Sequence, residues 1–213
     1  MSADSARGAE GGAARLVVGL GNPGSRYHLT RHNLGFRVVE RLAERLGAGP
    51  ERELCRALVA EAGTTLLARP QTYMNRSGWA VRCLCDRHEL APERCLVVYD
   101  EIALPLGRLR LRPSGSPGGH RGMESIVAAL ETDLVPRLRL GIGPREGVAP
   151  PGDLADFVLA PFDEDELGAA AALVELAADA VACWCAEGAE SAMARFNAAP
   201  PQRAPLAGEP PVR

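Results

Sequence analysis

The run Arg15-Leu-Val-Val-Gly19, passing directly into Gly19-Leu-Gly-Asn-Pro-Gly24, constrains the fold of this chain more than any other stretch. A short apolar run bounded by glycines reads as a buried strand, and the Gly-Asn-Pro-Gly turn then falls at its carboxyl edge. Open α/β sheets bind ligands at that edge. Asn22 lies in the turn, and eight residues after Gly24 comes His32 within Leu-Thr-Arg-His-Asn33. Two amides, Asn22 and Asn33, and a titratable base are therefore expected near one strand end.

Gly19, Gly21 and Gly24 also satisfy G-x-G-x-x-G, the spacing of a dinucleotide site. That fingerprint needs a helix opening at the glycines and an acid at the end of a second strand to hold the ribose. Ser25–Thr30 carries no helical apolar stripe, the periodic helix starts only near Asn33, and Glu40 falls inside it. A dinucleotide site is rejected, and no cofactor is expected.

Beyond the turn, Leu34, Val38, Val39, Leu42 and Leu46 recur at helical spacing before Gly47. Residues 53–69 read as two strands with a turn near Gly63, and Ser77 is placed to cap a helix reaching about Leu90. Leu96-Val-Val-Tyr-Asp100 reads as a buried strand ending in an acid, and Arg108-Leu-Arg-Leu-Arg112 as a half-exposed one. A glycine-rich loop, 113–120, precedes a short helix over about 121–130; Leu138–Ile142 is a further strand, and 163–197 a long Ala-rich helix. Strands alternating with helices predict an α/β fold. We expect one domain over 14–198, with disordered tails at 1–13 and 199–213.

All 24 basic residues are arginine, so any phosphate contact must come from Arg. Net charge is −3, unevenly spread: 103–147 holds seven arginines against four acids, whereas 148–199 holds one against ten. Proteins that coat duplexes are usually more basic, so a small nucleic-acid footprint is expected. No stretch reads as long and apolar enough to cross a membrane, and the N-terminal ten residues have no apolar core of a signal peptide. The six cysteines form no paired C-x-x-C framework, which predicts free thiols in a reducing cytoplasm and no metal site.

Polar side chains recur where strands give way to loops: Asn22, His32, Met74-Asn75, Asp100 and His120. Singly, each has an ordinary structural explanation, a turn amide or a solvated imidazole. Together they suit water activation by His, orientation of that His by Asp, and amide donors for a tetrahedral oxyanion. No Gly-x-Ser-x-Gly nucleophile elbow occurs, so direct attack by water is the simpler chemistry.

These motifs, in order, resemble the bacterial-type peptidyl-tRNA hydrolases: Gly-Leu-Gly-Asn-Pro-Gly24, Tyr27, Thr-Arg-His-Asn33, Thr72-Tyr-Met-Asn75, Tyr-Asp-Glu101, Leu104-Pro-Leu-Gly107, Gly118-Gly-His-x-Gly122 and Arg137-Leu-Arg-Leu-Gly-Ile-Gly143. The resemblance implies a single α/β domain with a mixed, mostly parallel central sheet flanked by helices. It implies hydrolysis of the ester between a peptide and the 3′ end of tRNA, by a cytoplasmic monomer without cofactor, metal, membrane or obligate protein partner. By position, His32 would be the base and Asp100 its orienting partner, with Asn22 and Asn75 at the peptide backbone and oxyanion. Tyr27, Met74, His120 and Arg121 would contact substrate; Arg110, Arg112 and Arg139 would grip phosphates near the 3′ CCA. Arg121 departs from the pattern, because better-known members carry Asn there, and a donor-only cation replaces an amide. A non-catalytic RNA-binding protein on the same scaffold, or a hydrolase of other acyl esters, are the competing readings.

Overall fold

The computed structural model describes residues 15–144 and 152–198; the expected tails at 1–13 and 199–213 lie outside them. Seven strands form one sheet: β1 (Arg15–Gly19), β2 (Arg52–Leu54), β3 (Ala57–Ala62), β4 (Thr65–Pro70), β5 (Cys95–Pro105), β6 (Leu109–Arg112) and β7 (Arg137–Gly143), in the order β2-β3-β4-β1-β5-β7-β6. β4, β1, β5 and β7 run parallel, while β2, β3 and β6 join antiparallel at the edges. β1 is central, as its unbroken apolar run requires, and its chain leaves between β4 and β5. The switch in connection direction there opens a crevice at the carboxyl ends of the three strands.

Helices cover both faces. α1 (Leu34–Leu46) and α5 (Leu167–Glu187) pack on one, with α6 (Ala189–Phe196); α2 (Ser77–Arg87) and α3 (Arg121–Leu130) pack on the other. α1 buries Leu34, Val38, Val39 and Leu42 in one stripe, each contributing about 1.5–3 kcal/mol, and ends where Gly47 turns left-handed at φ 58°. Its first turn meets the sheet backbone directly: a Cβ on Gly35 would run into the Val98 carbonyl and the Leu20 backbone. That approach seats the residues just before α1 against the ends of β1 and β5.

Several expectations change. The region 53–69 gains a third strand, β2, and the long Ala-rich stretch divides at Gly188, φ 90°, into α5 and α6. A six-residue helix, α4 (Leu154–Leu159), was not signalled by periodicity. Ser77 is inside α2 rather than capping it, its hydroxyl donating to the Met74 carbonyl at 2.9 Å, and the helix ends at Arg87. By length and composition α5 could cross a bilayer, contrary to the expectation for every stretch. Here Leu173, Ala177, Val181 and Trp184 face the core, and Glu175 and Asp179 pair with Arg41 and Arg45 of α1. Cys55 and Cys83 are joined in a disulfide rather than being free thiols; C-x-C spacing could not reveal it, because the hairpin carrying Cys55 meets α2 only in the folded chain.

Candidate active site

His32 lies in a single 3-10 turn, Arg31–Asn33, that leads into α1. Asp100 occupies β5 beyond the last residue paired with β1, and is buried to 3 % exposure. His32 Nδ1 is 2.8 and 2.9 Å from the two Asp100 carboxylate oxygens. An ionised carboxylate only accepts, so Nδ1 donates and neutral His32 keeps its proton there, leaving Nε2 with a lone pair. Burial alone would raise the Asp100 carboxyl, but the adjacent His32, with His120 also bonded, holds it well below the usual carboxylate range.

His120 turns out to be part of the same network. It caps α3, its Nδ1 accepting the Met123 N–H at 3.3 Å, which puts its proton on Nε2, 3.2 Å from Asp100 Oδ1. The His32 and His120 ring centres are 5.1 Å apart, and Tyr99 packs on His120 at 4.6 Å. Burial pushes the Tyr99 hydroxyl up to about 12. His32, Asp100 and His120 also form the one group among the described residues close enough to share a metal ion. Such an ion would have to displace the hydrogen bonds they make to one another.

Asn22 is held on three sides. Its N–H donates to Asn33 Oδ1 and its carbonyl accepts from Asn33 Nδ2, both at 2.9 Å, while its own Oδ1 accepts the Met74 N–H at 2.9 Å. These bonds orient the Asn22 amide so that its NH₂ remains as donor. Asn33, the second amide expected near this strand end, is buried to 2 % exposure and holds the Asn22 backbone rather than facing the cleft. Arg137 opens β7 within the expected motif, with no side-chain role expected for it. It is buried, and its guanidinium donates to the carbonyls of Gly115, Ser116, Asp133 and Val135, pinning the glycine-rich loop that delivers His120.

These groups open on a cleft of about 560 Å³ lined by Asn22, His32, Tyr73, Met74, Asn75, Asp100, Glu101, His120 and Arg121, with Leu154, Val158 and Leu159 of α4 as a further wall. Asn75 and Arg121 are exposed, and Arg121 makes no ion pair or hydrogen bond among the described residues. Met74 is buried against the first turn of α3, its sulfur occupying the space where Gly122 has no Cβ. Tyr27 is not in the lining: it sits beneath Arg26 at 4.5 Å, and its carbonyl accepts from Thr30. Arg110 and Arg112 are exposed on β6, where they pair in register with Arg139 and Arg137. Arg139 is already engaged, its Nε and Nη2 donating to Glu101 Oε2 at 2.8 and 2.7 Å.

A His–carboxylate pair facing a cleft, flanked by amide donors at the carboxyl ends of parallel strands, marks this α/β protein as carrying a hydrolase-type site, with a base and donors placed for acid–base chemistry at a carbonyl. The peptidyl-tRNA hydrolase family model matches residues 16–204. A peptidyl-tRNA hydrolase of Desulforudis audaxviator is 46 % identical over 187 residues, covering 86 % of this chain and 93 % of that protein. One of Thermus thermophilus is 49 % identical over 182 residues, covering 85 % and 95 %. The crystal structure of peptidyl-tRNA hydrolase from Acinetobacter baumannii superposes with a TM-score of 0.79 at 33 % identity, over 90 % of this chain and 98 % of that one. The chain belongs to the peptidyl-tRNA hydrolase family.

Proposed function

We propose that this protein hydrolyses the ester joining a peptide to the 3′ end of tRNA, with His32 as general base. The carrying observation is His32 itself, bonded through Nδ1 to buried Asp100 and open to the cleft. Nε2 takes a proton from water as the water oxygen bonds to the ester carbon. Asp100 stabilises the imidazolium that forms, and the amides of Asn22 and Asn75 donate to the oxyanion. Collapse breaks the bond to the ribose oxygen, which receives the proton back from His32, giving a peptide acid and free tRNA. His120 shares the Asp100 carboxylate and keeps it ionised and fixed. The non-catalytic alternative leaves this buried pair without a task.

Arg110 and Arg112 supply the phosphate contacts in this reading, with Arg139, opposite Arg110 in register, on the same face. Arg121, at the start of α3 on the cleft wall, donates to peptide carbonyls, and Met74 packs beside the terminal nucleotide. Tyr27 shapes the turn before His32 instead of touching substrate. We place the protein in the cytoplasm as a monomer, where interrupted translation releases its substrate. Incubation of the purified protein with N-acetylaminoacyl-tRNA and with a free N-acetylaminoacyl ester tests the assignment: rapid cleavage of the tRNA ester alone supports it, and no cleavage of either overturns it.

A further inference from the structure

Arg31, the residue before His32, is a guanidinium buried to 3 % exposure, and none of its partners belongs to the cleft chemistry described so far. It donates through Nη1 to the Pro161 carbonyl at 2.5 Å and through Nη2 to Glu166, with Asp163 at 3.5 Å. Phe157 and Phe162 stack on it, at 4.4 and 5.2 Å from their ring centres. Its main-chain N–H donates to the Ala160 carbonyl, and Thr30 bridges Pro161. Every tie of its side chain, and of its N–H, therefore ends in one stretch, 157–166, which starts on α4 and finishes at the entry to α5.

α4 offers its other side to the cleft, where Leu154, Val158 and Leu159 form an apolar wall; Leu154 and Leu159 are half-exposed with nothing packed over them in the described chain. Six residues cannot hold a helix by propensity alone. Desolvating a guanidinium is also a costly way to fasten a surface segment that apolar side chains could hold. A cation next to the base and tied only to that segment makes physical sense if the wall must keep a fixed distance from His32, since catalysis is sensitive to small misplacements of the reacting atoms.

Resting on the peptidyl-tRNA reading of the cleft, we infer that Arg31 is a positioning residue: it holds the α4 wall in register with His32, so that an apolar side chain on the esterified residue, seated on Val158 and Leu159, presents its carbonyl to the base. The main-chain bond from Arg31 to Ala160 does not involve the side chain, so Arg31→Met leaves that tether and the His32 turn in place while the side-chain ties to Pro161 and Glu166 are lost.

The test uses the full chain and two substrates, N-acetylleucyl-tRNA and N-acetylglycyl-tRNA, with thermal unfolding to verify that each variant is folded at the assay temperature. Arg31→Met is expected to lower kcat/KM about tenfold or more on the leucyl ester and no more than about threefold on the glycyl ester, since an apolar subsite discriminates on that scale. Arg31→Lys recovers part of the loss, because an ammonium still reaches Glu166 but cannot fork to Pro161. In Val158→Ala, where the wall is already deficient, Arg31→Met costs less on the leucyl ester than in the native background. Should Arg31→Met not fold, Glu166→Gln gives the same substrate pattern at smaller amplitude. Equal losses on both esters, or full multiplication with Val158→Ala, overturn the inference while leaving the function intact; a native protein that cleaves neither ester overturns both.

Discussion

Replacing Asp100 by Asn is the most informative single change, because the carboxylate is bonded to two imidazoles at once. An Asn side chain has one acceptor oxygen and one donor nitrogen where Asp has two acceptors. Both imidazoles bond Oδ1, and Oδ2 faces His32 alone, so whichever way the amide turns His32 Nδ1 meets its NH₂. If the nitrogen takes the shared position, His120 must surrender its Nε2 proton and so lose the Met123 capping bond at Nδ1; if the oxygen takes it, both rings keep an acceptor, but a neutral amide no longer stabilises the imidazolium that forms on His32. The second arrangement preserves the cap, so we expect it to dominate. A positioned base contributes ~10²–10⁴-fold in rate, about 2.7–5.5 kcal/mol of transition-state stabilisation, and losing the carboxylate charge behind His32 should remove a large part of it. Single-turnover cleavage of N-acetylaminoacyl-tRNA by the saturated enzyme measures kcat directly, and a filter-binding assay should show tRNA affinity nearly unchanged. A rate within about threefold of the native protein would refute the reasoning, since a general base typically contributes ~10²–10⁴-fold.

Arg110→Ala with Arg112→Ala should raise KM more than it lowers kcat and flatten the salt dependence of tRNA binding by about one unit per lost contact; an unchanged slope would put the phosphate site elsewhere. Arg121→Asn should keep kcat/KM within about tenfold, a change of ~1.4 kcal/mol, and a loss beyond about a hundredfold would make this side chain part of the chemistry. Tyr99, pushed up to about 12 from an unfolded value of about 10, stays protonated in the folded protein while the unfolded chain ionises. Stability should therefore fall as pH rises from about 10 towards 12, by up to about 2.7 kcal/mol, and urea midpoints of Tyr99→Phe should lack that component. Asp100 has the opposite sign: its lowered pKa stabilises the fold above the ordinary carboxylate range and the contribution is lost as the solution is acidified through and below that range, a dependence absent from Asp100→Asn. Thiol titration of the denatured, unreduced protein should find Cys85, Cys95, Cys183 and Cys185 reactive; six reactive thiols would refute the Cys55–Cys83 bond.

The sequence by itself determined the parts of this protein that depend on neighbours along the chain. The apolar run of β1, the Gly47 stop of α1, and the 121–130 helix follow from local periodicity and turn chemistry, and all three stand. It also marked Asn22, His32, Asn75, Asp100 and His120 as strand-end polar groups, and all five do line one cleft. The family resemblance also paired Asp100 with His32; what only the tertiary structure decided is the geometry of that contact and the other contacts these groups make. His32 and Asp100 are 68 residues apart, and no spacing rule predicts the bond between them. The same holds for His120 closing on Asp100, Asn33 bracketing Asn22, Arg137 pinning its loop, Glu101 occupying Arg139, and Arg31 reaching across to Glu166. α4 escaped notice because six residues are too few to show a period, and the Cys55–Cys83 bond because a hairpin and a helix distant in sequence are neighbours only across the edge of the sheet. Periodicity reports burial one element at a time; hydrogen bonds and ion pairs depend on where different elements meet, and packing around the central sheet sets those meetings.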